Sequence, residues 1–209
     1  HGCLPSKMRG LQPAGRCGIL VYAEKSAERR EERLKIEKRD IMNKVNYEEI
    51  REKIHSCDML LIGIGQEFEE GQAKKEERLE TMEQLASYLK GLNYFVLSSN
   101  KNDLVEQISW RKDAVAAPLC REDEAAWDRY MKWISYTLNH KLLVLELGEG
   151  FLNPAVMRWP FERMVMINQK AELIRVGEKF SQIPEEIKEK GIAVPLSSLK
   201  FVTELCSED

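Results

Sequence analysis

Three short polar loops concentrate the glycines and side chains able to recognise a phosphate-bearing ligand. They are Gly63-Ile64-Gly65-Gln66-Glu67-Phe68, Ser98-Ser99-Asn100-Lys101-Asn102-Asp103 and Gly148-Glu149-Gly150-Phe151-Leu152-Asn153-Pro154. Glycine removes the Cβ atom where a diphosphate needs close backbone approach, and equally where a strand must turn sharply into a helix. Both uses stay open at positions 63, 65, 148 and 150. Arg158, just after the third loop, is placed to pair with a phosphate or with Glu162. Cys120 is the thiol nearest the loops in this pattern, and Arg121 beside it would lower its pKa.

The elements that must position these loops read as an alternation of strands and helices. Tyr47, Ile50 and Ile54 recur at helical spacing, and Met59 to Ile62 is a short apolar run ending in Gly63. A helix is expected from Lys75 to Lys90, stopped by Gly91, and a second strand from Tyr94 to Ser98. Val115 to Ala117 reads as a third strand, Leu142 to Leu147 as a fourth, Glu172 to Val176 as a fifth and Ile192 to Val194 as a sixth. A long helix carries Trp127, Tyr130, Trp133, Ile134 and Leu138 as a core stripe, and another runs from Ala155 to Ile167 with Trp159 packed on the sheet. Continuously apolar strands between helices predict a doubly wound, Rossmann-like α/β domain with a mostly parallel sheet. Ligands in such a fold lie beyond the carboxyl ends of the strands, which is where all three loops fall. His140 precedes the fourth strand, so at about 3.3 Å per residue it stands roughly 20 Å from Gly148. His55 has the same relation to Gly63, and His1 belongs to the N-terminal tail.

The segment Leu145-Glu-Leu-Gly-Glu-Gly-Phe-Leu-Asn-Pro154, with Arg158-Trp-Pro-Phe-Glu162 and Ala171 to Val176, resembles the C-terminal half of sirtuins, specifically the bacterial branch associated with macrodomains. Tyr94 to Asn102 is similar to the sirtuin T-x-N-x-D segment, with Asn100 on the motif asparagine and Asn102 where aspartate is usual. Leu60 to Glu67 resembles the strand leading into G-A-G-x-S, with Gly63 and Gly65 matching and Glu67 in place of serine. The likeness spans about residues 56–195. It implies an NAD-binding protein that performs NAD-dependent ADP-ribosyl transfer or deacylation, with NAD or ADP-ribose and an acceptor protein as partners. The alternative is a catalytically silent nucleotide-binding or regulatory module of the same fold.

By this resemblance the catalytic candidates are Asn100, Asn102 and Asp103. The cofactor-binding candidates are Gly63, Ile64, Gly65, Gln66, Glu67, Ser99, Asn100, Gly148, Glu149, Gly150, Asn153, Arg158 and Val176, and no metal is expected. Glu67 or Glu149 would stabilise cationic charge on the ribose, although a carboxylate repels a diphosphate. The chain departs from the family in two respects. No histidine falls at the carboxyl ends of the strands, and no four cysteines stand at ligand spacing for a zinc-binding small domain.

With 209 residues, 43% of them hydrophobic, the chain has enough apolar surface for one globular domain. Its formal charge of −3 gives no basic field for nucleic acid or anionic lipid. No apolar stretch approaches the roughly 20 residues needed to cross a bilayer, so no membrane partner and a cytoplasmic setting are expected. Five scattered cysteines without a C-x-x-C pair read as free, mostly buried thiols. Residues 1–41 carry a charged run with little apolar face and are expected to be a loosely attached tail or a misplaced start, leaving 42–209 as the domain. A chain beginning at Met42 is therefore expected to melt cooperatively; an insoluble product would contradict that division.

Overall fold

A computed structural model describes residues 45–69 and 73–207 of the chain. The chain divides into two units, His1–Asn43 and Lys44–Asp209, and the description concerns the second. The expected tail of residues 1–41, including His1, Cys3 and Cys17, lies outside the described residues.

Six parallel strands form one sheet: β1 (Met59–Ile64), β2 (Tyr94–Ser98), β3 (Val115–Ala116), β4 (Leu142–Leu147), β5 (Glu172–Val176) and β6 (Gly191–Val194). Their order is β3-β2-β1-β4-β5-β6, so the order reverses between β1 and β4. Every residue of β1, β2 and β4 is buried, which is why these strands read as unbroken apolar runs.

Among the described residues five α-helices accompany the sheet: α1 (Tyr47–Ser56), α2 (Lys75–Tyr88), α3 (Glu124–Ser135), α4 (Arg158–Ile167) and α5 (Ser198–Cys206). Local chemistry starts several of them. Asn46 Oδ1 accepts the Glu49 N–H ahead of α1, and Asp123 Oδ1 accepts the Ala126 N–H ahead of α3. With the right-handed crossovers that parallel strands take, α2 falls on one face and α3 with α4 on the other, and α5 packs against α2 and α1. Helix α2 ends at Tyr88, two residues earlier than expected, and the chain turns at Gly91 with φ +87°.

Two aromatic expectations need correction. Tyr130 is buried and stacks near Phe95, with Trp133 on the same ring, but Trp127 is 38% and Leu138 57% exposed. The expected core stripe is thus only half a core. Trp159 is 56% exposed rather than packed on the sheet, and α4 starts at Arg158 and not at Ala155. Starting there places Pro160 in the first turn, where its missing N–H costs nothing.

Beneath α4 the core contains charge. Glu146 on β4 and Arg175 on β5 are register neighbours, 0% and 1% exposed, and Glu146 accepts from the guanidinium at 2.6 and 3.0 Å. Arg175 also meets Glu162 at 2.8 Å, and Arg158 lies 3.6 Å from Glu146 and 3.7 Å from Glu162. Two cations and two anions make a neutral quartet, the condition under which buried charges persist. Next to it Gly63, beside Glu146 in register, leaves space for Met157 and Phe161, whose atoms would stand 2.5 and 2.7 Å from a Cβ. The glycine at 63 therefore makes room for helix packing.

Removing one member should leave uncompensated buried charge. Glu146→Ala is expected to lower unfolding free energy in urea by about 3 to 5 kcal/mol. Combining Glu146→Leu with Arg175→Leu should recover part of that loss.

Candidate functional site

At the carboxyl ends of the strands the hydrogen-bond ladder continues into the loops. Ser99 N–H donates to Ile64 O (3.1 Å), Gly65 N–H to Leu147 O (2.8 Å), Gly148 N–H to Val176 O (2.8 Å) and Gly177 N–H to Val194 O (3.1 Å). The turn after β1, Gln66–Phe68, is tied to the loop after β4 by Glu67 N–H on Gly148 O at 3.1 Å. A Cβ on Gly65 would stand 2.5 Å from Glu149 Cα, and one on Gly150 would strike Gln66 Oε1. Gly148 has φ +69°, a conformation that suits glycine, and its α-carbon lies under the Glu67 side chain. These glycines allow two loops to touch at the point where strand order reverses.

Around that contact three side chains are left incompletely paired. Asn100 is 0% exposed, and neither its Oδ1 nor its Nδ2 has a hydrogen-bond partner. Gln66 Nε2 and Glu149 Oε1 are likewise buried without a partner. A buried atom without a partner calls for an explanation, an ordered water, an ion, a ligand or stored strain among them; Tyr47, Arg78, Trp110 and Arg129 hold others. Glu149 is 3% exposed, forms no ion pair among the described residues, and accepts the Ser99 hydroxyl on Oε2. Burial pushes its carboxyl up to about 7; the Glu146 charge adds to the rise, while the Ser99 hydroxyl, Arg158 and Arg175 oppose it.

Glu67, the other acidic residue at the contact, has the opposite environment. Its Oε1 accepts the Glu178 N–H and its Oε2 the Ser198 N–H, both at 2.8 Å. The carboxylate thus closes the first turn of α5 and ties β1 to the loops beyond β5 and β6.

The remaining expected site residues fall into three groups. Ile64 and Val176 are buried strand residues that contribute carbonyls to the ladder. Asn102 is half-buried, with Oδ1 accepting from Leu104 N–H, and exposed Asp103 heads the turn Leu104–Gln107. Asn153 is half-buried and its carbonyl accepts Val156 N–H. Arg158 is 3% exposed, bonds Phe180 O at 3.0 Å and Glu149 O at 3.4 Å, and lies 4.4 Å from the Phe151 ring centre. Of its two expected partners, Glu162 is present beside it, and the guanidinium braces two loops.

Cys120 is not activated. Burial raises its pKa and the Glu106 and Asp103 charges add to the rise, while Arg121 pairs with Glu106 at 2.9 Å. Cys57, Cys120 and Cys206 are free and half-buried, less enclosed than expected. His55 contacts Tyr88, and His140 lies 3.6 Å from Asp58, both at the amino ends of the strands as the sequence implies. Sequence reasoning passed over Phe180, Ser198, Glu146 and Arg175, which support the site. For the last two a signal existed, since a charged residue stands inside an otherwise apolar strand.

The fold and these loops define a Rossmann-like α/β domain with a polar cluster at its topological switch point. No family model matches the chain. Over 92 residues it is 30% identical to a protein ADP-ribosyltransferase of Staphylococcus aureus, covering 44% of this chain and 29% of that protein. Over 77 residues it is 39% identical to a probable bifunctional ADP-ribose hydrolase/ADP-ribosyltransferase of Fusarium oxysporum f. sp. cubense, covering 35% of this chain and 12% of that protein. The chain thus spans less than a third of the length of either relative. Among the described residues no helix is long and apolar enough to cross a membrane.

Glu149 also makes stability depend on pH. With the carboxyl raised from 4.5 to about 7 on folding, the native state holds a proton that the unfolded chain releases between those values. Stability therefore declines as pH rises from 4.5 to 7, by about 3 kcal/mol in all. Glu149→Gln is expected to remove this decline and to melt above the wild type at pH 8. Parallel pH–stability curves for the two proteins would contradict the assignment.

Proposed function

We propose that the chain is a sirtuin-like domain that binds NAD or ADP-ribose at the carboxyl ends of β1, β2 and β4 and supports NAD-dependent ADP-ribosyl transfer. The observation that carries this reading is the cluster of unpaired buried polar atoms on Gln66, Asn100 and Glu149. Two carboxamides and a carboxyl that can hold a proton suit ribose hydroxyls and the nicotinamide amide, which need donors and acceptors rather than countercharge. The partial likeness to proteins named ADP-ribosyltransferase supports the same class of ligand.

The fit is better for the ribose and nicotinamide than for the diphosphate. The first-turn amide of α5, a natural phosphate donor, is already held by Glu67. Within the proposed complex Asn100 and Gln66 orient the nicotinamide ribose, and Arg158 keeps the Glu149 loop in place. Transfer is favoured over deacylation because His55 and His140 stand at the opposite ends of the strands. The second reading is a silent nucleotide-binding module, favoured by the Glu67 carboxylate on an amide that an anionic ligand would otherwise use.

Calorimetric titration with ADP-ribose and NAD tests the site. Binding at or below millimolar concentration is expected, weakened about tenfold or more by Asn100→Ala, the equivalent of about 1.4 kcal/mol. The same substitution should leave the melting temperature unchanged or raised, since it deletes two unpaired polar atoms. Absence of binding by the wild type would remove the proposal.

A further inference from the structure

We infer that Glu149 is the proton acceptor for the nucleophile that attacks the ribose, an inference that rests on the NAD reading above. Three other carboxylates stand near the switch point, and each is engaged or exposed. Glu67 has both oxygens engaged by the Glu178 and Ser198 amides. Both oxygens of Glu146 are engaged by Arg175, beneath α4. Asp103 is exposed at the head of a turn. Glu149 alone of these combines a position at the loop contact, burial and one oxygen without a partner. Its other oxygen accepts the hydroxyl of Ser99, next to the unpaired carboxamide of Asn100. That hydroxyl fixes the carboxyl's orientation and leaves Oε1 available.

The step balances with water as the nucleophile. One water proton passes to Glu149 Oε1 as the water oxygen bonds to the ribose anomeric carbon. The glycosidic C–N bond breaks, its electron pair goes to the nicotinamide ring, and nicotinamide leaves neutral. NAD and water thus give ADP-ribose, nicotinamide and a proton that Glu149 later returns to solvent. A protein hydroxyl in place of water gives transfer by the same proton path.

A base must be ionised to act, so the rate should rise with pH through the titration of Glu149 and then level off. The groups that set this titration are Ser99 after β2, Glu146 on β4, Arg158 on α4 and Arg175 on β5, while the Glu67 side chain packs on neighbouring Gly148. Burial places it at about 7, and Ser99 holds it down.

The test is nicotinamide release from NAD in water by the whole chain between about pH 5.5 and 8.5, with ADP-ribose affinity measured in parallel. Glu149→Gln, of the same shape, should lower kcat about a hundredfold or more while leaving ADP-ribose affinity unchanged or tighter. Ser99→Ala should move the midpoint of the rate profile to higher pH, a shift that a merely structural hydroxyl would not cause. Near-normal turnover in Glu149→Gln, or a midpoint unmoved by Ser99→Ala, would overturn the inference. Wild type that binds ADP-ribose but releases no nicotinamide would also overturn it while leaving the binding reading intact. Wild type that does not bind ADP-ribose would instead bring down the reading on which it rests.

Discussion

The loops after β4 and β5 are braced by the buried pairing of Glu146 with Arg175. The two side chains sit on adjacent strands at the same register level, so their separation is fixed by the sheet itself. Arg158 and Glu162, one turn apart on α4, complete the group from above and lock the helix over β4 and β5. Burial pushes the Glu146 carboxyl up, and the Arg175 guanidinium opposes that rise. The arrangement matters for position more than for net stability, since apolar residues of similar volume often hold a core as well. Arg158 and Arg175 extend to the Phe180 and Gln182 carbonyls, and Arg158 also to Glu149 O. The quartet therefore fixes the loops after β4 and β5, on which the candidate site depends.

With its loops braced, the site can hold groups in environments that folding alone does not favour. Asn100 has two unpaired atoms and Glu149 a buried carboxyl without a countercharge, each a local loss of stability. Such losses persist where the surrounding structure leaves the side chain no alternative and where binding recovers the lost interactions. Here Gly65 packs closely against the Glu149 backbone.

How far the sequence foretold this differs between backbone and side chains. Strands β2, β4 and β5 have the expected ends, because a strand covered on both faces must be apolar throughout and its limits show in composition. The start of α4 was misplaced because Ala155 to Met157 have helix-compatible side chains, yet the loop must first cross above Gly63. Convergence of the glycine loops followed from their common position after parallel strands. The partners of Glu67 did not: Glu178 and Ser198 lie 111 and 131 residues away, and no local pattern encodes such pairs. Glu149 was legible as a residue type at the right place, but its burial and its unpaired oxygen are products of tertiary packing. Arg158 presented two options in sequence, and only the fold decides that its charge is spent inside.

The two carboxylates of the site differ in a way that bears on which ligands gain from it. Glu67 fixes negative charge beside the loops after β5 and β6, where it consumes amides that would otherwise attract phosphate. Glu149 changes charge near neutrality beside the loops after β1 and β2. A ligand that brings only phosphates meets this arrangement at a loss. A ligand with a cationic ring, whose reacting carbon becomes more positive as the ring departs, gains from the same charges as the reaction proceeds. NAD has that property and a simple nucleoside diphosphate does not. Under the proposed function these charges suit the nicotinamide ribose better than the diphosphate, in the region where the unpaired side chains lie.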